Sequence, residues 1–163
     1  MTRWLLVATA LVAAVAVMAC KSAPPSKPPA PPQQVEAGST FRLLSPLTFP
    51  ADQSELIFQG QRLVAPNAIS PAEPYCRLVP QAGAPHSLLP GLLRVADVSY
   101  DERESGTTRA MYSITRIALV AGPNQPGYIM SCGWPGAGQS QDFVSTEQIY
   151  NAIAGQFTMQ LVR

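Results

Sequence analysis

The stretch LLRVADVSYDERESGTTRAMYSITRIALV, residues 92–120, decides the fold. Two β-prone runs, 92–100 and 107–120, flank the polar segment DERESG at 101–106. Because that segment is polar and ends in glycine, the pattern predicts a long β-hairpin with 101–106 at its tip. The apolar phase of the second run becomes unclear after Ile114, where Arg116 interrupts it. A β-bulge there would reconcile its two halves.

Shorter β-prone runs accompany the hairpin on both sides. Residues 41–43 and 157–162 alternate between apolar and polar side chains, as half-buried strands do. Residues 75–79 and 128–132 each place a cysteine in a short β-prone run. Eight prolines between positions 46 and 90 predict short segments there, at sheet edges or in irregular loops.

One helix is predicted after position 145. Ser145 and Gln148 have the spacing of a capping box, and Gly155 stands where a C-terminal cap belongs. Three apolar residues then share one face: Ile149, Ala152 and Ile153. The predicted fold class is mainly β, an antiparallel sandwich or open barrel, with this short helix packed over an end or an open face of the sheet.

The charge balance gives no electrostatic reason to propose a nucleic acid partner. The whole chain of 163 residues carries 11 basic and 10 acidic side chains. Between 35 and 163 there are eight arginines and ten acidic residues, a formal charge of −2. Neither a basic face nor a strongly acidic one follows from such numbers.

The first 19 residues have the parts of an export signal. Arg3 supplies a positive charge, the run from Trp4 to Met18 has no charged side chain, and Ala19 precedes Cys20. That run is short for a transmembrane helix, which needs about 20 apolar residues. An uncleaved signal anchor with an incidental cysteine is the alternative interpretation.

The residues Val17-Met18-Ala19-Cys20 resemble the lipobox of bacterial lipoproteins. The resemblance implies that residues 1–19 are removed and that Cys20, carrying a diacylglyceryl group and in many bacteria a further acyl chain such as palmitate, becomes the first residue. Two or three acyl chains hold a protein durably on a membrane. Lys21 in place of aspartate resembles the pattern of lipoproteins passed to the outer membrane, where the domain would face the periplasm.

Residues 20–34 are predicted to form a lipidated cysteine and a proline-rich linker. Six prolines fall among the fourteen residues from 21 to 34. Proline favours polyproline II at about 3.1 Å per residue, so the segment is predicted to be a semi-rigid stalk of roughly 40 Å. A proline-rich ligand for a groove-binding domain is the alternative. Residues 35–163 are then predicted to form a single β-rich domain.

Two of the three cysteines fall inside that domain, Cys76 and Cys132. In the oxidising compartment outside the cytoplasm, this pair has one intramolecular connectivity, so the sequence predicts a disulfide. Zinc binding and nucleophilic catalysis are the alternatives. A closed structural zinc site needs four ligands, and the chain has a single histidine.

The usual catalytic patterns are not found in the sequence, and no catalytic residue, cofactor or metal site is predicted. His86 is read as a solvated loop residue, because a catalytic base needs a nucleophile and an orienting carboxylate nearby. Asp101, Glu102 and Glu104 are read as a solvated turn, with weak calcium or partner binding as the alternative. Trp134, in a glycine-rich loop, is either a plug over the core or the possible partner contact.

Three functional hypotheses follow. In layout the chain resembles the small β-rich lipoproteins of Gram-negative envelopes, which suggests a non-enzymatic module that binds an envelope protein or serves a structural role. The second hypothesis is a small-ligand-binding lipoprotein, or one that inhibits lysozyme through segment 101–106 or 133–138. The third is a hydrolase with two carboxylates about 5–10 Å apart.

Overall fold

The computed structural model describes residues 33–105, 109, 111–122, 126–136 and 143–162. By its contacts the chain divides into Met1–Ala30 and Pro31–Arg163, and the fold below belongs to the second unit. The predicted signal peptide, Cys20 and the linker up to residue 32 lie outside the described residues. The lipid anchor therefore stays a prediction.

Within the described residues, ten strands and one α-helix follow one another along the chain. They are β1 (Thr40–Leu43), β2 (Leu47–Thr48), β3 (Leu56–Gln59), β4 (Arg62–Val64), β5 (Tyr75–Pro80), β6 (Ser87–Leu88), β7 (Gly91–Glu104), β8 (Met111–Val120), β9 (Tyr128–Gly133), α1 (Thr146–Ile153) and β10 (Phe157–Gln160). A short 3-10 helix, Pro66–Ala68, lies between β4 and β5. In this part of the chain, neither helix is long and apolar enough to cross a membrane.

Eight strands form one antiparallel sheet, in the order β10-β1-β7-β8-β9-β5-β3-β4. The sheet curls into a half-barrel, so the predicted mainly β fold with one short helix is confirmed, in an open form. The strands before β7 are short, as the prolines predict. However, β1, β3 and β5 lie inside the sheet rather than at its edges. Proline is tolerated there because Pro80 is the last residue of β5.

The long hairpin is confirmed, but its tip and its bulge are not where the sequence predicts them. β7 and β8 pair from Arg94 opposite Val120 to Glu104 opposite Met111. Residues 101–104 are therefore extended strand, and the predicted turn at 101–106 is wrong in its bounds. The register shift falls in β7, between Val95 and Asp97, rather than near Arg116 in β8.

The phase change in β8 arises because the two ends of this strand are buried on opposite faces. Residues in register across neighbouring strands point to the same face of a sheet, and β8 keeps a continuous register with β9 past Arg116. Ile117 and Leu119 belong to the main core, whereas Tyr112 and Ile114 belong to a second cluster. No bulge is needed in β8, because the first half of the strand packs in the second cluster and the second half packs in the main core.

The predicted helix cap is confirmed. The Ser145 hydroxyl accepts from the Gln148 N–H at 3.3 Å, and the Gln148 side chain accepts from the Ser145 N–H at 2.8 Å. The three apolar residues predicted to share a face are those buried: Ile149, Ala152 and Ile153. They join the main core, so α1 covers one face of the sheet, called here the inner face; the opposite face is the outer face.

Gly155 serves a different purpose from the one predicted. The residue that caps α1 at its C-terminal end is Ala154, in right-handed helical geometry. Gly155 instead lies against the backbone carbonyl of Gln61, where a Cβ atom would clash. The Gln61 N–H donates to the Ala152 carbonyl at 3.0 Å. The β3–β4 turn thus satisfies one of the carbonyls left open at the helix end.

The inner face carries the disulfide and the main core. Cys76 in β5 and Cys132 in β9 are in register, bonded to each other and fully buried. The predicted disulfide is therefore confirmed. The β2–β6 pair adds Leu47 and Leu88 to the same core.

Candidate binding site

A second, smaller hydrophobic cluster lies on the outer face. Its buried members are Ile57, Tyr75, Tyr112 and Ile114. They come from β3, β5 and β8, and these strands also supply residues to the inner core. Val64 and Ile69 pack against the cluster from the side. The sheet is thus buried on both faces at this end.

Two tyrosine hydroxyls meet within this cluster. The hydroxyl oxygens of Tyr75 and Tyr112 are 3.0 Å apart, and the bond is buried. Tyr75 begins β5 and lies opposite Gly133 of β9, which in turn lies opposite Ile114 of β8. A Cβ atom at Gly133 would approach Ile114 Cδ1 to 2.5 Å and Tyr112 Cε2 to 2.9 Å. Only glycine at this position leaves room for the Tyr112 ring.

The environment of Tyr112 keeps its hydroxyl protonated. Burial, and then the hydrogen bond with Tyr75, raise the pKa of Tyr112 to about 12. Arg103 and Arg77 act against this increase, since a nearby positive charge stabilises a phenolate. Arg103 lies directly opposite Tyr112 in the β7–β8 pairing, on the same face. The hydroxyl pair therefore lies in a locally positive region.

Arg77 lies two residues after Tyr75 on the same face of β5. Its guanidinium carbon is 5.4 Å from the centre of the Tyr75 ring, and its Nη1 is 2.8 Å from Glu55 Oε1. Burial alone would lower the pKa of Arg77, but Glu55 and Tyr75 more than offset it, so the pKa is raised. The Nε–H is buried without a hydrogen-bond partner among the described residues. The side chain as a whole is 30% exposed.

A cavity of about 240 Å³ opens above these side chains. Its polar lining comes from Tyr75, Arg77, Ser105 and Tyr112. Its apolar walls are Ile69, Pro71 and Pro135. The residues 69–71 and 134–136 are in two loops that meet here, because Gly136 lies against the Pro71 carbonyl, where a Cβ atom would clash.

Trp134, predicted to be either a plug over the core or a partner contact, lies in the loop that forms this cavity wall. The residue is partly buried, and it follows the last residue of β9. Its indole Nε1–H is buried without a partner in the part of the chain that the structure describes. An unsatisfied buried donor costs about 1–3 kcal/mol, which a bound acceptor would recover. Trp134 thus adjoins Pro135, which lines the cavity, and its Nε1 lies close to Gly136.

The other candidates singled out from the sequence do not converge on this site. His86 is exposed, and its backbone carbonyl accepts from the Phe49 N–H. Asp101 faces Arg116, with 3.8 Å between Oδ2 and Nη1, and its neighbour Glu102 points to the opposite face. Residues 101–104 belong to a strand, and the other predicted inserting segment, 133–138, lies outside the described residues beyond position 136. Within the described residues, no three His, Cys, Asp or Glu side chains are arranged to hold a metal ion.

A larger cavity, of about 360 Å³, lies beside the β7 bulge. Its lining is mostly small or apolar, with Ala37, Gly38, Val95 and Arg94 among its members. It has one charged side chain and no second polar side chain with which to orient a ligand. The smaller cavity is the better candidate site because several polar groups converge there.

No motif in the sequence singles out Tyr75, Arg77 or Tyr112 as site residues. One local signal could have indicated them. Gly133 interrupts a β-prone run directly after Cys132, and an isolated glycine in a strand indicates close approach by another group. The approaching group is the Tyr112 ring.

No protein-family model, curated protein or solved structure matches this chain.

Proposed function

We propose that this protein is a lipid-anchored module of the bacterial cell envelope that binds a partner protein through the outer-face cavity and the Trp134 loop, without catalysing a reaction. The observation that carries the proposal is the meeting of the two loops, 69–71 and 134–136, over a tyrosine pair and a partly exposed arginine. Tyrosine, tryptophan and arginine are the residue types enriched where proteins bind one another most tightly.

The chemistry of the cavity favours binding over catalysis. A general base works best with a pKa near the working pH, whereas the pKa of Tyr112 is about 12. The carboxylate nearest Arg77 is that of Glu55, and the two are joined in an ion pair. A protonated phenol and a paired guanidinium can hold and orient a group but are poorly suited to removing a proton from it.

The anchor in this proposal rests on the sequence around Cys20 and on the proline-rich segment that follows it. A tether of roughly 40 Å would hold the module near the membrane and still let it reach a neighbour. Gln33, at the end of this segment, accepts through its carbonyl from the Thr146 N–H and hydroxyl, each at 2.9 Å. The tether therefore joins the domain beside the N-terminal end of α1.

Site-specific photocrosslinking in intact cells tests the binding role. The full chain would carry Pro135→p-benzoylphenylalanine at the cavity wall or, as the matched control, Thr158→p-benzoylphenylalanine on the exposed side of β10. We expect one discrete protein adduct from position 135 and none from position 158. The same pattern from both positions, or no adduct from position 135, would contradict the proposal.

Metabolic labelling with a palmitate analogue tests the anchor. We expect the full chain to be labelled, the Cys20→Ser variant to lose the label and the Lys21→Ala control to retain it. Unchanged labelling of Cys20→Ser would remove the anchor from the proposal. It would leave the binding site unaffected.

A further inference from the structure

We infer that the outer-face cavity holds a carboxylate carried on a small apolar group, as at the C-terminal residue of a peptide. The inference rests on the proposed binding function and names the chemistry that this site recognises. The hydrogen-bond donors, the charge and the volume of the cavity each restrict the kinds of ligand that it can hold.

Arg77 and the two tyrosines of the cavity lining carry more hydrogen-bond donors than they use among the described residues. An arginine side chain has five N–H donors. Among the described residues, the Arg77 guanidinium bonds Glu55 through Nη1 and also the Tyr75 side chain, while its Nε–H is buried without a partner. The Tyr75 and Tyr112 hydroxyls have two hydrogens between them, of which their mutual bond uses one. Among the described residues, this leaves one phenolic hydrogen for another acceptor. A ligand that supplies oxygen acceptors fits this arrangement.

The charges around the cavity favour an anion among such acceptors. Arg77 extends from β5 and Arg103 from β7, and both stabilise negative charge at the Tyr112 oxygen. Glu55, which precedes β3, offsets one of these two positive charges through its ion pair with Arg77. Arg116 and Asp101, further along the same face, face each other. Arg77, Arg103 and Glu55 together carry one net positive charge, which suits a single carboxylate.

The size of the cavity limits what can accompany the carboxylate. A volume of about 240 Å³ is below the roughly 300–1,000 Å³ typical of sites for drug-sized ligands. Ile69, Pro71 and Pro135 give it apolar walls. One small amino acid side chain with a terminal carboxylate meets both conditions. A second carboxylate or a large ring does not.

Calorimetric titration of the full lipidated chain in non-ionic detergent tests the inference. The probes are N-acetyl-Ala-Ala with its free carboxylate, the same dipeptide as its C-terminal amide, and propionate. Because a hydrogen bond to a charged group is worth more than a neutral one, we expect the amide to bind about tenfold more weakly than the free acid. Equal binding of acid and amide, or no binding of either, would overturn the inference.

Two variants and a control locate the binding. Arg77→Gln and Tyr112→Phe should each weaken binding of the free acid, the first by about tenfold. Arg116→Gln removes an exposed arginine from the same face and should change the affinity less than twofold. Tyr112→Phe removes a single oxygen, so it tests the site even where Arg77→Gln fails to fold. Equal loss in Arg116→Gln and Arg77→Gln would show general charge attraction and overturn the site.

The propionate titration distinguishes the two sources of a carboxylate. Tighter binding of the dipeptide than of propionate would support a peptide terminus, and equal binding would overturn that part in favour of free small acids. Failure here is separable from failure of the proposed function. Loss of the carboxylate preference with a persistent adduct at position 135 would reject the ligand chemistry alone. Loss of the adduct with intact dipeptide binding would reject the protein partner alone.

Discussion

The inner and outer faces of the sheet are built from the same strands, but they differ in what they hold. In β5, Cys76 and Leu78 point inward to the disulfide and the main core, while Tyr75 and Arg77 point outward to the cavity. The inner face is covered by α1 and the β2–β6 pair. The outer face is covered by two loops, 69–71 and 134–136. The inner face thus stabilises the fold, whereas the outer face leaves polar groups within reach of a ligand.

This difference shows how one strand can serve two purposes. Side chains alternate between faces, so a residue that stabilises the fold can stand next to one that binds a partner. Loops make fewer buried contacts than regular elements and open at lower free energy. A site covered by loops on a sheet that is fixed from behind is both positioned and accessible.

The largest expected effect comes from breaking the covalent link on the inner face. Replacing both partners, Cys76→Ala with Cys132→Ala, removes a bridge between residues 56 apart. The chain-entropy model predicts a loss of about 4 kcal/mol in the free energy of unfolding. Urea unfolding followed by circular dichroism measures it. An unchanged midpoint would contradict a stabilising role for the bridge.

The same substitution on the two faces of β8 compares them directly. Ile117 is fully buried on the inner face and Ile114 is 3% exposed on the outer face. We expect Ile117→Ala to cost about 4 kcal/mol and Ile114→Ala about 2 kcal/mol, because the smaller outer cluster can relax around the gap. Denaturant unfolding of both variants measures the difference. A larger loss of unfolding free energy for Ile114→Ala than for Ile117→Ala would contradict the conclusion that the inner face is the one that stabilises the fold.

Gly133→Ala tests the close approach on which the outer site depends. The added methyl group would contact Ile114 and Tyr112 at less than van der Waals distance, so overpacking should cost about 1–3 kcal/mol. Displacement of the Tyr112 ring should also weaken dipeptide binding. Ser131→Ala, two residues earlier on the same face, is the matched control and should stay within about 0.5 kcal/mol. Equal stability of the two variants would contradict the packing described.

Removing the N-terminal cap of α1, the helix that covers the inner face, should have a smaller effect on the free energy of unfolding. Ser145→Ala removes the acceptor for the Gln148 N–H and should lower the free energy of unfolding by about 1 kcal/mol. Asn151→Ala, at an exposed position of α1, is the control and should not destabilise. Dipeptide binding should be unchanged in both variants, because α1 lies on the other face. A loss of binding in Ser145→Ala would show that the faces are coupled.

The smallest expected effect is the pH dependence of stability that arises from the titration of Tyr112. With a pKa of about 12 when folded and about 10 when unfolded, Tyr112 keeps its proton longer in the folded state. Its contribution to stability is therefore present below pH 10 and is lost as the pH rises toward 12. Burial also raises the pKa of Tyr128, so ultraviolet titration should show more than one late phenolate, and Tyr112→Phe should lack the one that Tyr112 contributes. Its persistence in that variant would assign the late titration to another tyrosine.

The sequence predicts those features that depend on local pattern. The cap formed by Ser145 and Gln148 is a short motif, and the Cys76–Cys132 pairing follows from having two cysteines in the domain. The position of the hairpin tip was wrong because polar residues of an exposed strand resemble those of a turn. Residues 101–104 are instead the last four residues of β7, and all four are exposed.

The outer site depends instead on which strands become neighbours. Tyr75 and Tyr112 are 37 residues apart and come together because β9 lies between β5 and β8. Strand order is not encoded in any single run of residues. Trp134 could be singled out because of its unusual loop. The polar residues of the cavity beside Pro135, namely Tyr75, Arg77 and Tyr112, could not.

The most direct test of the account is the yield of the photocrosslinked adduct from position 135 in intact cells, compared between the otherwise unchanged chain and Arg77→Gln. The side chains of Arg77 and Glu55 are 30% and 26% exposed, so loss of their ion pair should cost about 1 kcal/mol and the variant should fold and accumulate normally. If the outer face is the binding face, the adduct should fall about tenfold. An undiminished adduct at normal protein levels would contradict it.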